Sequence, residues 1–131
     1  RTSTQLSPET CGSCHEFVFK KWKDESAHGA TWQQGGKTAL CIDCHEAHDV
    51  VDPTTQDARK QFPHDCGNCH EKHNATFHAG FHGKATDLGR RAAAMCSDCH
   101  TPHQILAASD PRSSIHPDNL GTMCGTCHQG E

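Results

Sequence analysis

The stretch Glu9–Phe17, ETCGSCHEF, sets Cys11, Cys14 and His15 in the order Cys-x-x-Cys-His. The same pattern returns as CIDCH from Cys41, CGNCH from Cys66, CSDCH from Cys96 and CGTCH from Cys124. All 10 cysteines of the 131-residue chain lie in these five units. A disulfide framework tolerates any residue after the second cysteine. A zinc ribbon pairs two such units and needs no adjacent histidine. A redox dithiol uses one unit within a thioredoxin-like alternation of strands and helices, a pattern absent from this sequence. Only covalent haem attachment requires histidine in the next position. The two thiols form thioethers with the haem vinyl groups, and the following imidazole reaches the iron from one face. With histidine near a tenth of the chain, five matches by accident have odds of roughly one in 10⁵.

Composition points the same way. Leu, Ile, Val and Phe number 16 of 131 residues, fewer than ordered globular chains carry. Their side chains alone bury too little apolar surface to offset the entropy of ordering the backbone. Small domains with poor cores rely on disulfides, metals or another covalent staple. Five haems, each a large flat apolar body, supply the missing interior. With about 26 residues per haem, the polypeptide is too short to insulate one porphyrin from the next. The expected cofactor is therefore five covalent haem c groups. Their thioethers form at Cys11 and Cys14, Cys41 and Cys44, Cys66 and Cys69, Cys96 and Cys99, and Cys124 and Cys127. Their proximal iron ligands are His15, His45, His70, His100 and His128.

Eight further histidines remain for at most five distal positions, so every iron has a second imidazole available. His48, His73 and His103 each lie three residues beyond a proximal histidine. On a helical turn that offset is about 4.5 Å along the axis, on nearly the same face. Such a histidine cannot bind the iron its neighbour already holds, but it can bind the iron of a haem lying alongside. His28 and His82 repeat a different pattern. Both are followed by glycine, and both precede a haem motif by thirteen or fourteen residues. A small residue there permits a tight turn where backbone approaches porphyrin. The distal set is therefore His28, His48, His73, His82 and His103, with His116 the first reserve and His64 and His78 behind it. Met95 and Met123 each directly precede an attachment cysteine and are read as packing residues.

The order of motifs and histidines makes an internal repeat. Residues 11–70 and 66–128 are pseudo-repeated halves of one domain spanning 1–131, sharing the third motif. Glu16–Ser26 is a helix candidate with Phe19 and Trp22 on one side, and Ala85–Met95 is a second, weakened by Gly89. Each haem motif is expected to be a helical turn. Pro53, Pro63, Pro111 and Pro117 are read as loop markers. The expected fold is mostly coil with short α-helices wrapped around five haems, with little or no β.

The formal charge of −4 argues against nucleic-acid binding. KKWK and GRR are short and are read as solvated faces. No run approaches the length of a transmembrane span. The polar start RTSTQLSPET is not a signal peptide, so the expectation is a mature chain whose precursor carries one ahead of Arg1.

The chain resembles small multihaem c-type cytochromes over residues 11–128. The segments CGSCHEFVFKKWKDESAHG (11–29), FHGKATDLGRRAAAMCSDCHTPHQIL (81–106) and DPRSSIHPDNLGTMCGTCH (110–128) carry the likeness. The resemblance implies bis-histidine haems, stacked pairs and electron relay. It also implies a periplasmic or extracellular location and redox partner proteins. Relatives include periplasmic donors to respiratory reductases and subunits of extracellular cytochrome filaments, in which a histidine from a neighbouring subunit completes a haem. The fifth motif has no trailing histidine before Glu131, which makes its haem the candidate for such ligation. Multihaem nitrite reductases replace one proximal histidine by lysine, and hydroxylamine-oxidising relatives use a tyrosine-modified haem. This chain has neither a Cys-x-x-Cys-Lys unit nor any tyrosine. The expectation is electron transfer without substrate chemistry, as a filament subunit or a soluble shuttle. The alternative is a small reductase with one open haem.

Overall fold

The computed structural model describes residues 7–129. Among these residues lie nine short α-helices, one 3-10 turn and no strand, as the motif spacing and composition lead one to expect. They group into two compact units. One runs to Leu40 and resumes at Ser97; the other is Cys41–Cys96. No helix among the described residues is long and apolar enough to cross a membrane.

The first unit opens with α1 (Pro8–Gly12), whose proline occupies a position where a helix has no use for its N–H. Helix α2 (Glu16–Glu25) packs on α1 and on α3 (Ala27–Gln33). A single extended residue, Ser26, breaks α2 from α3. Its Oγ accepts a bond from Gly29 N at 2.9 Å and donates to Trp22 O, so one hydroxyl ends one helix and starts the next. Trp22 is buried against Trp32 and Phe19, with ring centroids 5.6 and 6.4 Å away. The segment after the fourth motif returns to this helix pair, where Ala27 N donates to Ile105 O at 2.8 Å. Buried Ser113 donates to the carbonyl of buried Leu106, and Asn119 Nδ2 donates to Ser113 O at 2.8 Å. These side-chain bonds hold a stretch that has no regular structure of its own. The 3-10 turn Pro117–Asn119 then leads into the last helix, Leu120–Gly125.

The second unit holds α4 (Cys41–His45), α5 (Gln56–Gly67), α6 (Glu71–Ala79) and α7 (Phe81–Asp87). Two of its four helices repeat the first unit's pair. Gly80, extended at φ −89° and ψ 173°, breaks α6 from α7 as Ser26 breaks α2 from α3. Helix α8 (Cys96–His100) begins at the last residue of this unit, and the final helix, Leu120–Gly125, is α9.

The expected helix over Glu16–Ser26 is present to within one residue. The one expected over Ala85–Met95 is not. Helix α7 stops at Asp87, and Gly89 takes φ +85°, a left-handed conformation that turns the chain out of the helix. Pro63 does not mark a loop either; it lies inside α5. It occupies the place that Pro8 has in α1, three residues before an attachment cysteine, and both prolines are fully buried. The helix Gln56–Phe62 simply runs into a motif turn that begins with proline.

Candidate haem-attachment and iron-ligand site

The five motifs fold in two ways. In CGSCH, CGNCH and CGTCH the first cysteine lies in the last turn of α1, α5 or α9, each of which ends at the motif glycine. The chain then continues through one more turn. His15 N donates to Cys11 O at 2.8 Å, His70 N to Cys66 O at 2.9 Å and His128 N to Cys124 O at 2.9 Å. Both thiols and the imidazole therefore share one side of the turn. In the first two of these motifs a neighbour requires the glycine, whereas a Cβ at Gly125 would meet nothing within 4 Å. A Cβ at Gly12 would lie 2.6 Å from the Phe19 ring, and one at Gly67 would lie 2.5 Å from the Asn74 side chain. His15 and His70 then begin α2 and α6 with nearly identical backbone angles, φ −103° with ψ 53° and 57°.

In CIDCH and CSDCH the whole motif is a helix, α4 or α8. The residue after each proximal histidine is left-handed, with Glu46 at φ 61° and Thr101 at φ 62°. This corrects the reading of the trailing histidines. His48 and His103 do not continue a helical turn from His45 and His100, because the chain turns off the helix axis between them. Only His73 follows the helical reading. It lies in α6, with its ring 6.0 Å from that of His70.

His28 and His82 occupy the second position of α3 and α7. The glycine behind each also serves helix packing. A Cβ at Gly29 would meet Trp22 O at 2.1 Å, and one at Gly83 would meet Phe77 O at 1.9 Å. Main chain touches main chain at both places, which fixes each histidine relative to the preceding helix.

The three reserve histidines differ in what their rings meet. His116 Nδ1 accepts a bond from Asp118 N at 3.2 Å. That leaves the ring proton on Nε2, the atom an iron would need. His78 Nδ1 donates to Asp87 Oδ2 at 2.8 Å, while its Nε2 is sealed without a partner. The His64 ring stacks on His78 at 5.2 Å.

Within the second unit the attachment cysteines crowd together. Crowding strips water from the Cys44 thiol and, with Asp65, Asp43 and Cys69 adding negative charge, pushes it up to about 11. A hydrogen bond with Cys96 pushes Cys66 up, followed by burial and the charges of Cys96, Cys44 and Asp65. Cys44, Cys66, Cys69 and Cys96, from three motifs, thus lie near one another, with Cys44 and Cys66 held in the thiol form. Few apolar side chains are covered in either unit. Besides Pro8 and Pro63, Trp22, Ala58, Met95 and Leu106 are the buried apolar side chains among the described residues, while Phe81 is 94% exposed, Leu88 84% and Phe17 77%. The donor set and the uncovered rings both fit haem.

No family model matches the chain, and no solved structure matches it. It is similar to the multiheme cytochrome MtrA of Shewanella baltica (strain OS185), at 25% identity over 126 residues. The match covers 96% of this chain and 33% of that protein. The likeness supports a multihaem c-type cytochrome. The chain spans about a third of the length of the curated relative it matches. Sequence reasoning located every cysteine and histidine discussed here. It missed the two motif conformations, although CGxCH against CxDCH is a readable difference.

Proposed function

We propose that the chain relays electrons through five covalently bound c-type haems, each ligated by two imidazoles. The observation that carries this reading is the five complete Cys-x-x-Cys-His units, three folded as a turn closed by the histidine N–H on the first cysteine's carbonyl and two as a short helix. Haem, when bound, supplies a one-electron iron couple. The chain attaches it through the ten cysteines and presents His15, His45, His70, His100 and His128 as proximal ligands. The distal set is His28, His48, His73, His82 and His103. The matched positions of His28 and His82, and the matched turns before His48 and His103, support four of these. The Nδ1 of His116, taken up by Asp118 N, favours exposed His73 as the fifth, while His78, with Nδ1 on Asp87 and Nε2 unpaired, stays a reserve. Without a methionine ligand the potentials are low. The chain forms one pentahaem domain with pseudo-repeated halves, and no iron is left open for substrate, so it is not an enzyme.

The site of action is periplasmic or extracellular, and electrons pass to redox partner proteins or between copies of the chain. Eight histidines beyond the proximal five exceed the need. That surplus supports ligation between copies, as in an extracellular cytochrome filament, over a soluble shuttle to a respiratory reductase. Intact mass of denatured protein tests the first claim: it should exceed the polypeptide by five haems, and four or fewer would sink it. His48→Ala and His103→Ala should each produce one high-spin haem; a fully low-spin spectrum with the fold intact would reject that assignment. Electron microscopy of native material separates the last pair, since a strictly monomeric species leaves the shuttle.

A further inference from the structure

The second unit contains a recess lined by Arg59, Lys60, Arg90 and Arg91, with Thr86 at its wall. No acidic side chain lines it. The chain as a whole carries a charge of −4, so four cations facing one recess run against the overall balance. The arrangement is built by specific bonds. Gln56 Nε2 donates to Gly89 O, and Arg59 Nη2 donates to Ala93 O at 3.2 Å. They hold the turn that carries Arg90 and Arg91 against α5. Gly89 allows that turn through its positive φ. The nearby Asp87 carboxylate is engaged by His78.

Thr86 supplies a second, independent observation. It is only 6% exposed, and its Oγ1 has no hydrogen-bond partner. A buried hydroxyl left unpaired destabilises the fold that holds it. A hydroxyl and several guanidinium groups around one recess form a complete donor set for an oxyanion.

We propose that this recess binds a carboxylate, and that the carboxylate is a propionate of a haem held beside it. The position favours that source. Met95, which also lines the recess, is joined directly to Cys96. Thr86 lies one turn beyond His82 on α7, on the same face. The recess therefore sits between an attachment cysteine and a proposed iron ligand. The cations hold the carboxylate ionised beside the iron. Their positive charge favours the ferrous over the more positive ferric state, raising the potential of that haem. The proposal rests on the reading that the fourth motif carries haem.

The test uses the haem-loaded protein and its Arg90→Gln/Arg91→Gln variant. Haems are counted by intact mass and located by peptide mapping, potentials are read by spectroelectrochemical titration, and inorganic phosphate binding is followed by calorimetry. Arg59 is left unchanged because it holds the turn. The variant should keep its haems and shift one couple about tenfold toward the oxidised form, about 59 mV for one electron. Arg91→Lys should stay near the parent potential, and the parent should not bind phosphate. Unmoved potentials with all haems present would overturn the propionate assignment. So would phosphate binding by the parent that the double variant loses, which would make the recess a site for a free anion. A parent protein lacking haem at Cys96 would overturn the haem reading itself, and this proposal with it.

Discussion

Helices α2 and α3 in one unit, and α6 and α7 in the other, share a backbone design and differ in what fills it. Each pair follows a Cys-Gly-x-Cys-His turn, breaks at one extended residue and brings a His-Gly step against the preceding helix. In the first pair Phe19, Trp22 and Trp32 close the interior with their rings. In the second, Asn74 and Thr86 stand where the first pair has Phe19 and Trp32, and His78 stands in place of Lys23. Asn74 Oδ1, His78 Nε2 and Thr86 Oγ1 are the buried side-chain atoms without partners among the described residues. All three fall in this second pair. One backbone thus serves as a closed aromatic core in one copy, and in the other as a wall with unpaired polar atoms.

The contrast is most open to attack at the aromatic ring the two pairs share. Trp22→Ala should destabilise the haem-loaded protein by about 3–5 kcal/mol, as loss of a buried ring does. Phe77→Ala, at a half-buried position, should cost about half as much. Equal losses in denaturant unfolding would mean that both pairs are closed in the same way. Next come the glycines. Gly29→Ala and Gly83→Ala should each cost about 1–3 kcal/mol, because the added carbon overlaps main chain that cannot move aside. Gly121→Ala in α9, where a Cβ meets nothing within 4 Å, should instead gain up to about 1 kcal/mol.

The filled-wall reading makes a smaller claim. Thr86→Val should cost about 1 kcal/mol in the haem-loaded protein, since the hydroxyl then has a partner to lose. A neutral or stabilising result in thermal unfolding would leave Thr86 as a true orphan. The least effect is expected at the break residue. Ser26 caps α3 and Gly80 gives α7 no side-chain bond. Gly80→Ser should add a few tenths of a kcal/mol, because its backbone is already extended and a Cβ there makes only ordinary contacts, 3.5 Å from Phe77 O.

The parts of this architecture that were legible in sequence are those fixed by covalent chemistry. Cys-x-x-Cys-His names its cofactor because thioethers and an axial imidazole demand that order, and His28 and His82 stood out through their glycines. The rest depended on conformations that several sequences can adopt. Nothing in Glu46 or Thr101 announces a positive φ, so His48 and His103 were placed on a helical turn that they leave. Ala85–Met95 has the composition of a helix, and a single left-handed Gly89 ends it. Pro63 looked like a breaker because its role as the first residue of a motif turn shows only beside Pro8. The basic GRR run is solvated as read, with Arg90 and Arg91 exposed, but its place beside Arg59 and Lys60, thirty residues upstream on α5, shows only in the fold.

The glycine contact between paired helices also governs how such a chain tolerates sequence drift. At Gly29 and Gly83 the spacing of the two helices is set by main-chain atoms alone, so no side-chain identity enters into where the next histidine stands. The two copies here illustrate the freedom this gives, having exchanged tryptophan for phenylalanine, phenylalanine for asparagine and serine for glycine around an unchanged His-Gly step. A chain built this way can change most of the side chains around such a step and keep the step where it stands, so the two copies match in the intervals among their cysteines, histidines and glycines and in little else.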